Sequence, residues 1–311
     1  MMAARVSRRI VAATRPTIAG VGISHPDRII YPDLGVTKLG LARYYEAVAE
    51  WMLPHVAGRP LTLVHCPRGL LGDCVYMRHT KVWGPGALRR ITIQEKTKVG
   101  EYLVADDVAG IIALVQMGIV EIHTWNVTAD HLEHPNRIVW DLDPGPAVSW
   151  PQVIAAARTL RAVLETLGLE CWVKTTGGRG LHVVVPVIPR RDWSECLAFS
   201  RAVAEALART EPARFTTTFA KAGRESTILI DYLRNNRTNT SIAAFSTRAR
   251  PGGPVSMPIR WDELRPRVRP EAFTVNSGAR RLSRLRADPW PGYATARQRV
   301  TAAALRAISG L

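Results

Sequence analysis

Asp141 and Asp143, separated by a single leucine in "IVWDLDPGP" (138–146), are two carboxylates whose spacing poses a chemical question. An apolar run precedes them and Pro-Gly ends the segment, which predicts a strand entering a turn. Side chains alternate along a strand, so the two carboxylates share a face and Leu142 takes the other. A capping or turn role is the plain reading of such a pair. Here the strand ahead is strongly apolar, so the pair sits at the edge of the core, where like charges resist ionisation unless a cation compensates. A hard divalent cation held by carboxylate oxygens is the natural remedy. Asp231, in "STILIDYL" (226–233), also ends an apolar strand, although a pairing with nearby Arg234 explains it equally simply. Three aspartates at the ends of core strands are what two-metal nucleotidyl transfer requires. One ion acidifies the attacking hydroxyl, the other stabilises the leaving phosphate, and the two lie roughly 3.5–4 Å apart.

The segment "KTTGGRGLHVVVP" (174–186) supplies a complementary half. Small residues let a backbone approach phosphate closely. Thr176 adds a hydroxyl, Arg179 a planar fork for phosphate oxygens, and His182 a donor at the start of an apolar strand. The glycines precede a strand instead of opening a helix, so this is not a dinucleotide-binding fingerprint, and no GK[ST] marks a Walker loop. Taken alone, the segment fits a Gly-Gly connection with a half-buried histidine as well as it fits a phosphate cradle. His123 in "EIHTW" carries less weight, because a single strand histidine is more often structural. Arg224, Arg234 and Arg248 surround Asp231 in sequence; as a group they suit a triphosphate and a template backbone.

The elements that must position these residues alternate between strand and helix, which predicts an α/β chain. Thr37 caps a helix whose stripe is Leu41, Tyr44, Tyr45, Val48 and Trp51. Strands are expected at 61–65, 90–93 and 101–104, a helix ending at Gly118, and a strand at "IVEIHTW". The "IVWDLD" strand follows, then a helix from about Trp150 to Leu167. Strands near Trp172 and at 181–186, a helix from about Trp193 to Ala208 and the "STILIDYL" strand complete the core. "SHPDRIIYPDLGVTK" (24–38) is dense in turn residues and reads as a surface loop. Residues 1–19 form a loose basic arm, and the tail from Arg260 holds eleven arginines against four acids.

The 311 residues carry 42 Lys and Arg against 26 Asp and Glu, a formal net charge of +16 that favours polyanionic partners. No apolar segment approaches the ~20 residues of a membrane span, so a membrane partner is not expected. Cys66, Cys74, Cys171 and Cys196 form no CxxC pair and are too few for a disulfide framework. They read as reduced thiols of a cytosolic protein, without zinc spacing.

Assembled in order, "SHPDRIIYPDLGVTK", "EIHTW", "RIVWDLDPGP", "KTTGGRGLHVVVP", "DYLRNNR" and "AAFSTRARPGGPVSMPIRWDEL" closely resemble the polymerase domain of the bacterial end-joining ligase called ligase D. That domain is a branch of the archaeo-eukaryotic primase superfamily. The resemblance runs from about Gly20 to Leu285. It implies an α/β (α+β) fold, with a primase-type catalytic core on an RRM-like sheet (about 120–260) and an N-terminal α/β portion (about 20–120). The domain extends to about 290, and a C-terminal helix fills 291–311. It further implies that Asp141, Asp143 and Asp231 hold two ions, Mn2+ or Mg2+, and that Thr176, Arg179, His182, Arg224 and Arg248 contact the incoming nucleotide's phosphates. His123 lies beside the nucleotide pocket; Arg234 joins this group by inference from its place near Asp231. Arg28 and Lys38, with His25 beside them, occupy the basic positions that grip a downstream 5′-phosphate. Where relatives stack an aromatic pair on DNA, this chain has Val75-Tyr76, leaving one ring; stacking is worth roughly 1–3 kcal/mol per base.

The implied activity is template-directed addition of nucleotides (NTP or dNTP, with ribonucleotides favoured) to 3′-hydroxyls of gapped or broken DNA bearing a 5′-phosphate. A cytoplasmic, nucleoid-associated setting follows, with Ku and a separate DNA ligase as partners in end joining, or gap filling in excision repair. No ligase or nuclease segment is recognisable, so the expectation is a stand-alone polymerase or a fragment cut from a larger protein, with the former favoured. The rival readings are a non-catalytic DNA-end binding module and a primase that starts chains de novo. Three clustered carboxylates would add nothing to anion binding, which argues against the first.

Overall fold

Residues 15–79 and 86–309 are described in a computed structural model, and this described part starts with a short hairpin of β1 (Thr17–Ile18) and β2 (Val21–Gly22). Arg5, Arg8 and Arg9 of the expected basic arm lie outside the described residues. The segment 24–38 is not all loop. Within it β3 (Ile29–Tyr31) and β4 (Val36–Thr37) pair as an antiparallel ribbon around Gly35, which takes the left-handed φ of 62°. Burial of Ile30 and Tyr31 outweighs the turn residues on either side. Helix α1 (Lys38–Val56) follows at once, its start capped by Thr37 Oγ1, which accepts from the Gly40 amide at 3.1 Å. Leu41, Tyr44, Tyr45, Val48 and Met52 are buried along its core stripe, with Trp51 half-buried beside them.

Strands β5 (Leu61–His65) and β6 (Val75–Met77) form a hairpin in which His65 lies opposite Val75. Cys66 and Cys74 are the next residues out from that pair. Their Cα atoms come within 4.4 Å and they form a disulfide, which corrects the expectation of four reduced thiols. Only the hairpin register brings the two together, across a separation of eight residues that resembles no disulfide pattern. Cys171 and Cys196 are free, as expected, and both are buried. A separate ribbon, β7 (Arg89–Gln94) with β8 (Val99–Val104), precedes helix α2 (Val108–Gln116), capped by Asp107. Gly118 turns the chain at φ 87° into β9 (Ile119–Thr124).

The central element is β10 (Arg137–Pro144). Helix α3 (Trp150–Thr166) starts in a Ser149–Gln152 capping box and leads to β11 (Trp172–Thr175) and β12 (Leu181–Pro186). Helix α4 (Trp193–Thr210), capped by Asp192, is followed by β13 (Phe215–Thr216), β14 (Ile228–Asp231), β15 (Ser241–Ile242) and β16 (Pro258–Ile259). Helices α5 (Val275–Leu282) and α6 (Ala302–Ser309) end the described chain. One six-stranded sheet has the order β13-β14-β10-β12-β11-β16, and a four-stranded sheet the order β15-β9-β5-β6. In the six-stranded sheet only β13–β14 is parallel, so the architecture is of the α+β kind despite the alternating elements.

The two faces of β10 have different tasks. Trp140 points to α4, where its indole N–H donates to the Ser200 carbonyl at 2.9 Å and its ring meets Phe199 edge-on. Val139 points the other way and packs with Val184 and Trp172 beneath Trp290 and Tyr293. These aromatics therefore cover one end of the second face. Asp141 and Asp143 emerge further along that same face.

Candidate active site

Strand register builds the site. Asp141 lies directly opposite Asp231 on β14 and, on its other side, opposite His182 on β12; His182 in turn faces Lys174 on β11. Directly opposed residues project to one face of a sheet, so Lys174, His182, Asp141 and Asp231 form one cross-strand row. Asp143 follows two residues on from Asp141, at the exposed end of its strand. His182, Asp141 and Asp231 of this row, with Asp143, line a cleft of about 420 Å³ that is also lined by His123, Thr176, Arg179, Arg224, Arg234 and Arg248, with Lys221 and Arg250 on its walls. The ten residues expected at the metal and the nucleotide are thus gathered in one place.

A guanidinium ties the carboxylates together. Arg234 Nη2 lies 3.2 Å from Asp141 Oδ2 and 2.9 Å from Asp231 Oδ2. Arg224 Nη2 donates to Asp143 Oδ2 at 2.9 Å. Burial raises the Asp141 carboxyl, but His182 beside it and the charges of Arg234 and Lys174 more than reverse this and hold it well below the usual range. Asp231 is raised, by burial first and then by the Asp141 and Asp143 charges, against the pull of Arg234. His182, with Nε2 3.4 Å from Asp141 Oδ2, is pushed down to about 4 by burial and the Lys174 charge, so it is neutral at pH 7.

Among the described residues, no three His, Cys, Asp or Glu side chains are drawn into one metal-holding group. Asp141 and Asp231 are instead paired with Arg234, and Asp143 with Arg224. The donor set itself fits a hard divalent cation, since three carboxylates on one sheet face offer only oxygen ligands. A cation already bridges two of them, and His182 Nδ1, Arg224 Nη1 and Arg234 Nε are buried beside the row with no hydrogen-bond partner.

The glycine segment closes on itself. Thr176 Oγ1 donates to the Gly180 carbonyl and accepts from the Gly178 amide, each at 3.2 Å. At Gly180 a Cβ would come within 2.3 Å of the Leu142 carbonyl, so the loop lies directly on β10. Arg179 is partly committed, its Nη2 donating to the carbonyls of Gly145, Pro146 and Val148 at 3.1–3.2 Å. It thereby braces the turn that follows the aspartates.

Three residues absent from the sequence reading shape the site. Lys174 is wholly enclosed and donates to the Ile242 carbonyl at 2.9 Å and Ser256 Oγ at 2.6 Å. Asn235 supplies both halves of a strand-like pairing to Val139, accepting from its amide at 2.8 Å and donating to its carbonyl at 2.7 Å. Glu121 holds His123 and Arg248. Strand alternation could have found Lys174, which precedes His182 across a short connection, and Glu121, two residues from His123; nothing local marks Asn235.

Tyr76 lies outside the cleft lining, half-exposed on β6, its ring edge-on to His123 at 5.7 Å and its hydroxyl 3.0 Å from Thr240 Oγ1. His25, Arg28 and Lys38 form a second group, none of them on the cleft. Lys38 Nζ donates to the Gln116 carbonyl at 2.8 Å and to its side-chain oxygen at 2.9 Å, at the end of α2. Arg28 Nη1 donates to the Pro67 carbonyl. The β3–β4 ribbon keeps these cations adjacent, with the Lys38 amide donating to the Arg28 carbonyl at 2.7 Å. Burial and the Arg28 charge pull the Lys38 ammonium down to about 8. His25 is exposed and holds a left-handed φ of 50°.

Comparison with known proteins decides the family. The family model described as "LigD, primase-polymerase domain" matches residues 37–290. The chain belongs to the LigD primase-polymerase family. It is 37% identical over 300 residues to the multifunctional non-homologous end joining protein LigD of Pseudomonas aeruginosa, covering 95% of this chain and 35% of that protein. With the LigD of Mycolicibacterium smegmatis the identity is 32%, over 78% of this chain and 32% of the relative. The chain thus spans about a third of the length of these curated relatives. Among solved structures, the polymerase domain of Mycobacterium tuberculosis ligase D in complex with DNA superposes with a TM-score of 0.83 at 28% identity, covering 89% of this chain and 99% of that domain.

Proposed function

We propose that this chain is a template-directed DNA repair primase-polymerase. It adds nucleotides, with ribonucleotides favoured, to 3′-hydroxyls at gaps or broken ends carrying a 5′-phosphate. The observation that carries the reading is the Asp141–Asp231 cross-strand pair, bridged by Arg234 at the floor of an arginine-lined cleft. Asp141, Asp143 and Asp231 would hold two divalent ions, manganese or magnesium. Such ions, when bound, acidify the 3′-hydroxyl and offset charge on the leaving phosphate.

The chain's own residues do the rest. Arg248, Arg224 and Arg179, with the Thr176 hydroxyl and the small glycine loop, receive the triphosphate. His182 is neutral, and its buried Nδ1 has no hydrogen-bond partner within the protein. Arg234 exchanges a carboxylate bridge for a phosphate contact when the carboxylates are otherwise neutralised. Arg28 and Lys38, two cations held together by backbone pairing, suit a 5′-phosphate, and Tyr76 offers one stacking ring. A role in end joining is suggested by the relatives' names; Ku, a separate ligase and gap filling are part of this proposal.

The test is addition of a single nucleotide to a primed gap with a 5′-phosphate, with and without manganese, comparing ribo- and deoxyribonucleotides. Incorporation supports the polymerase. A protein that binds the gap yet adds nothing with any nucleotide or divalent ion is the DNA-end binding module instead.

A further inference from the structure

We propose that Glu121 is the positioning residue of the nucleotide site, orienting His123 and Arg248 from behind through one buried carboxylate. The inference rests on the proposed function. Glu121 and His123 are two apart on β9, so both project to the same face. Glu121 is 5% exposed and does not line the cleft, whereas His123 and Arg248 both do. Its Oε2 accepts from His123 Nε2 at 2.8 Å, while Oε1 accepts from Arg248 Nε at 3.0 Å and from the Ala249 amide at 2.7 Å.

A carboxylate taken out of water is costly unless donors surround it, and here three do. Burial raises the Glu121 carboxyl, but the His123 hydrogen bond and the Arg248 charge bring it down to about 2, so it is ionised throughout the working range. An ionised carboxylate can only accept. His123 Nε2 therefore carries the proton, and Nδ1 is left as an acceptor in a cleft otherwise dominated by cationic donors.

Arg248 is fixed from two sides. Its Nε is on Glu121, and its Nη1 donates to the Thr176 carbonyl at 2.7 Å. Gly177, at φ 68°, lies so close that a Cβ would come within 2.7 Å of Arg248 Cγ. The guanidinium is thereby locked against the glycine loop with its remaining donors available to the cleft. Preorganised donors of this kind bind a polyanion without the entropic cost of ordering a long side chain. Glu121 thus joins the four-stranded sheet to the loop on the six-stranded sheet, through the two side chains that a nucleotide would meet.

The test is Glu121→Gln, which keeps size and shape. Either the amide nitrogen meets the Arg248 and Ala249 donors, or it faces His123 and switches its tautomer, so that Nδ1 no longer accepts; the charge is lost in both cases. Equilibrium titration of a nucleoside triphosphate, with manganese and gapped DNA present, should show binding weakened about tenfold or more. Breaking the buried pairing should lower the melting temperature, but affinity for gapped DNA alone should stay near that of the parent. In a His123→Ala background the same substitution should cost less, because part of its effect passes through His123. Arg248→Lys keeps the charge, lacks the Nε donor to Glu121 and should reproduce the loss should the glutamine variant fail to fold.

Unchanged triphosphate affinity in Glu121→Gln, or an equal loss of affinity for gapped DNA alone, would overturn the inference and leave a structural ion pair. A parent protein that binds no triphosphate would overturn the proposed function itself.

Discussion

Asp141 and Asp231 face each other across adjacent antiparallel strands, and the single guanidinium of Arg234 reaches both carboxylates. Removing it leaves two buried like charges side by side. Arg234→Gln should therefore destabilise the protein by about 1–2 kcal/mol, a figure reduced for the partial exposure of the arginine. Manganese should restore much of the loss and raise the melting temperature of the variant more than that of the parent. Thermal melts with and without the ion make the comparison. An ion response no larger in the variant would separate these carboxylates from metal binding.

Lys38 gives the 5′-phosphate proposal a pH signature. With its ammonium at about 8, Lys38 is charged below that pH and loses its charge above it. A phosphate favours the charged form, so affinity for a 5′-phosphorylated gap should fall as pH rises beyond 8, by up to about tenfold per unit. A gap ending in 5′-hydroxyl should lack that slope. Equal slopes for the two ends between pH 7 and 9.5 would remove Lys38 from the phosphate contact.

His55 sets an acid limit on stability. It is buried against Phe245, Trp290 and Tyr293, and burial with the charges of Arg137, Arg59 and Lys174 lowers it to about 3. As pH falls below 6.5 the unfolded chain takes up a proton that the folded one refuses. Stability should drop by about 1.4 kcal/mol per unit, or about 2 kcal/mol by pH 5. His55→Phe should remove that portion of the acid loss in denaturant titrations at pH 7.5 and 5. An identical pH dependence in parent and variant would contradict the assignment.

The Cys66–Cys74 bond closes a short loop whose Pro67 carbonyl receives Arg28 and whose far end carries Val75 and Tyr76. Closure of eight residues is worth about 2.5 kcal/mol in the chain-entropy treatment. Reduction, which exposed Cys74 admits, should lower the melting temperature measurably, and Cys74→Ser should reproduce it without reductant. A melting temperature indifferent to reductant would show that the link contributes nothing to stability.

Much of the fold was legible because periodicity and caps agree with it. Thr37 at the head of α1, the apolar run ending at Asp141, and the strand from Leu181 to Pro186 all carry local signals that tertiary packing did not overrule. The site residues were visible as types and spacings, and the cleft gathers the ten expected there. What could not be read depends on register between distant segments. The pairing of Cys66 with Cys74 needs the β5–β6 hairpin, and the Asn235 contacts with Val139 close across 96 residues. Strand direction was hidden too, since helices separate antiparallel neighbours here as readily as parallel ones. Arg234 was legible as a partner for Asp231, but sequence does not say that the same guanidinium also reaches Asp141 on the neighbouring strand.

The most direct measurement of the central claim is single-nucleotide incorporation by Asp143→Ala at a 5′-phosphorylated gap, paired with its affinity for the same DNA. Asp143 is exposed and makes its ion pair with Arg224 at the rim, so its loss should leave the fold intact. A proposed metal carboxylate supplies several kcal/mol of transition-state stabilisation, so incorporation should fall about 1,000-fold or more. DNA affinity should remain within about threefold of the parent, because a carboxylate contributes no attraction to phosphate. A variant that still extends the primer at a rate near the parent's would contradict the assignment of these aspartates to the chemistry.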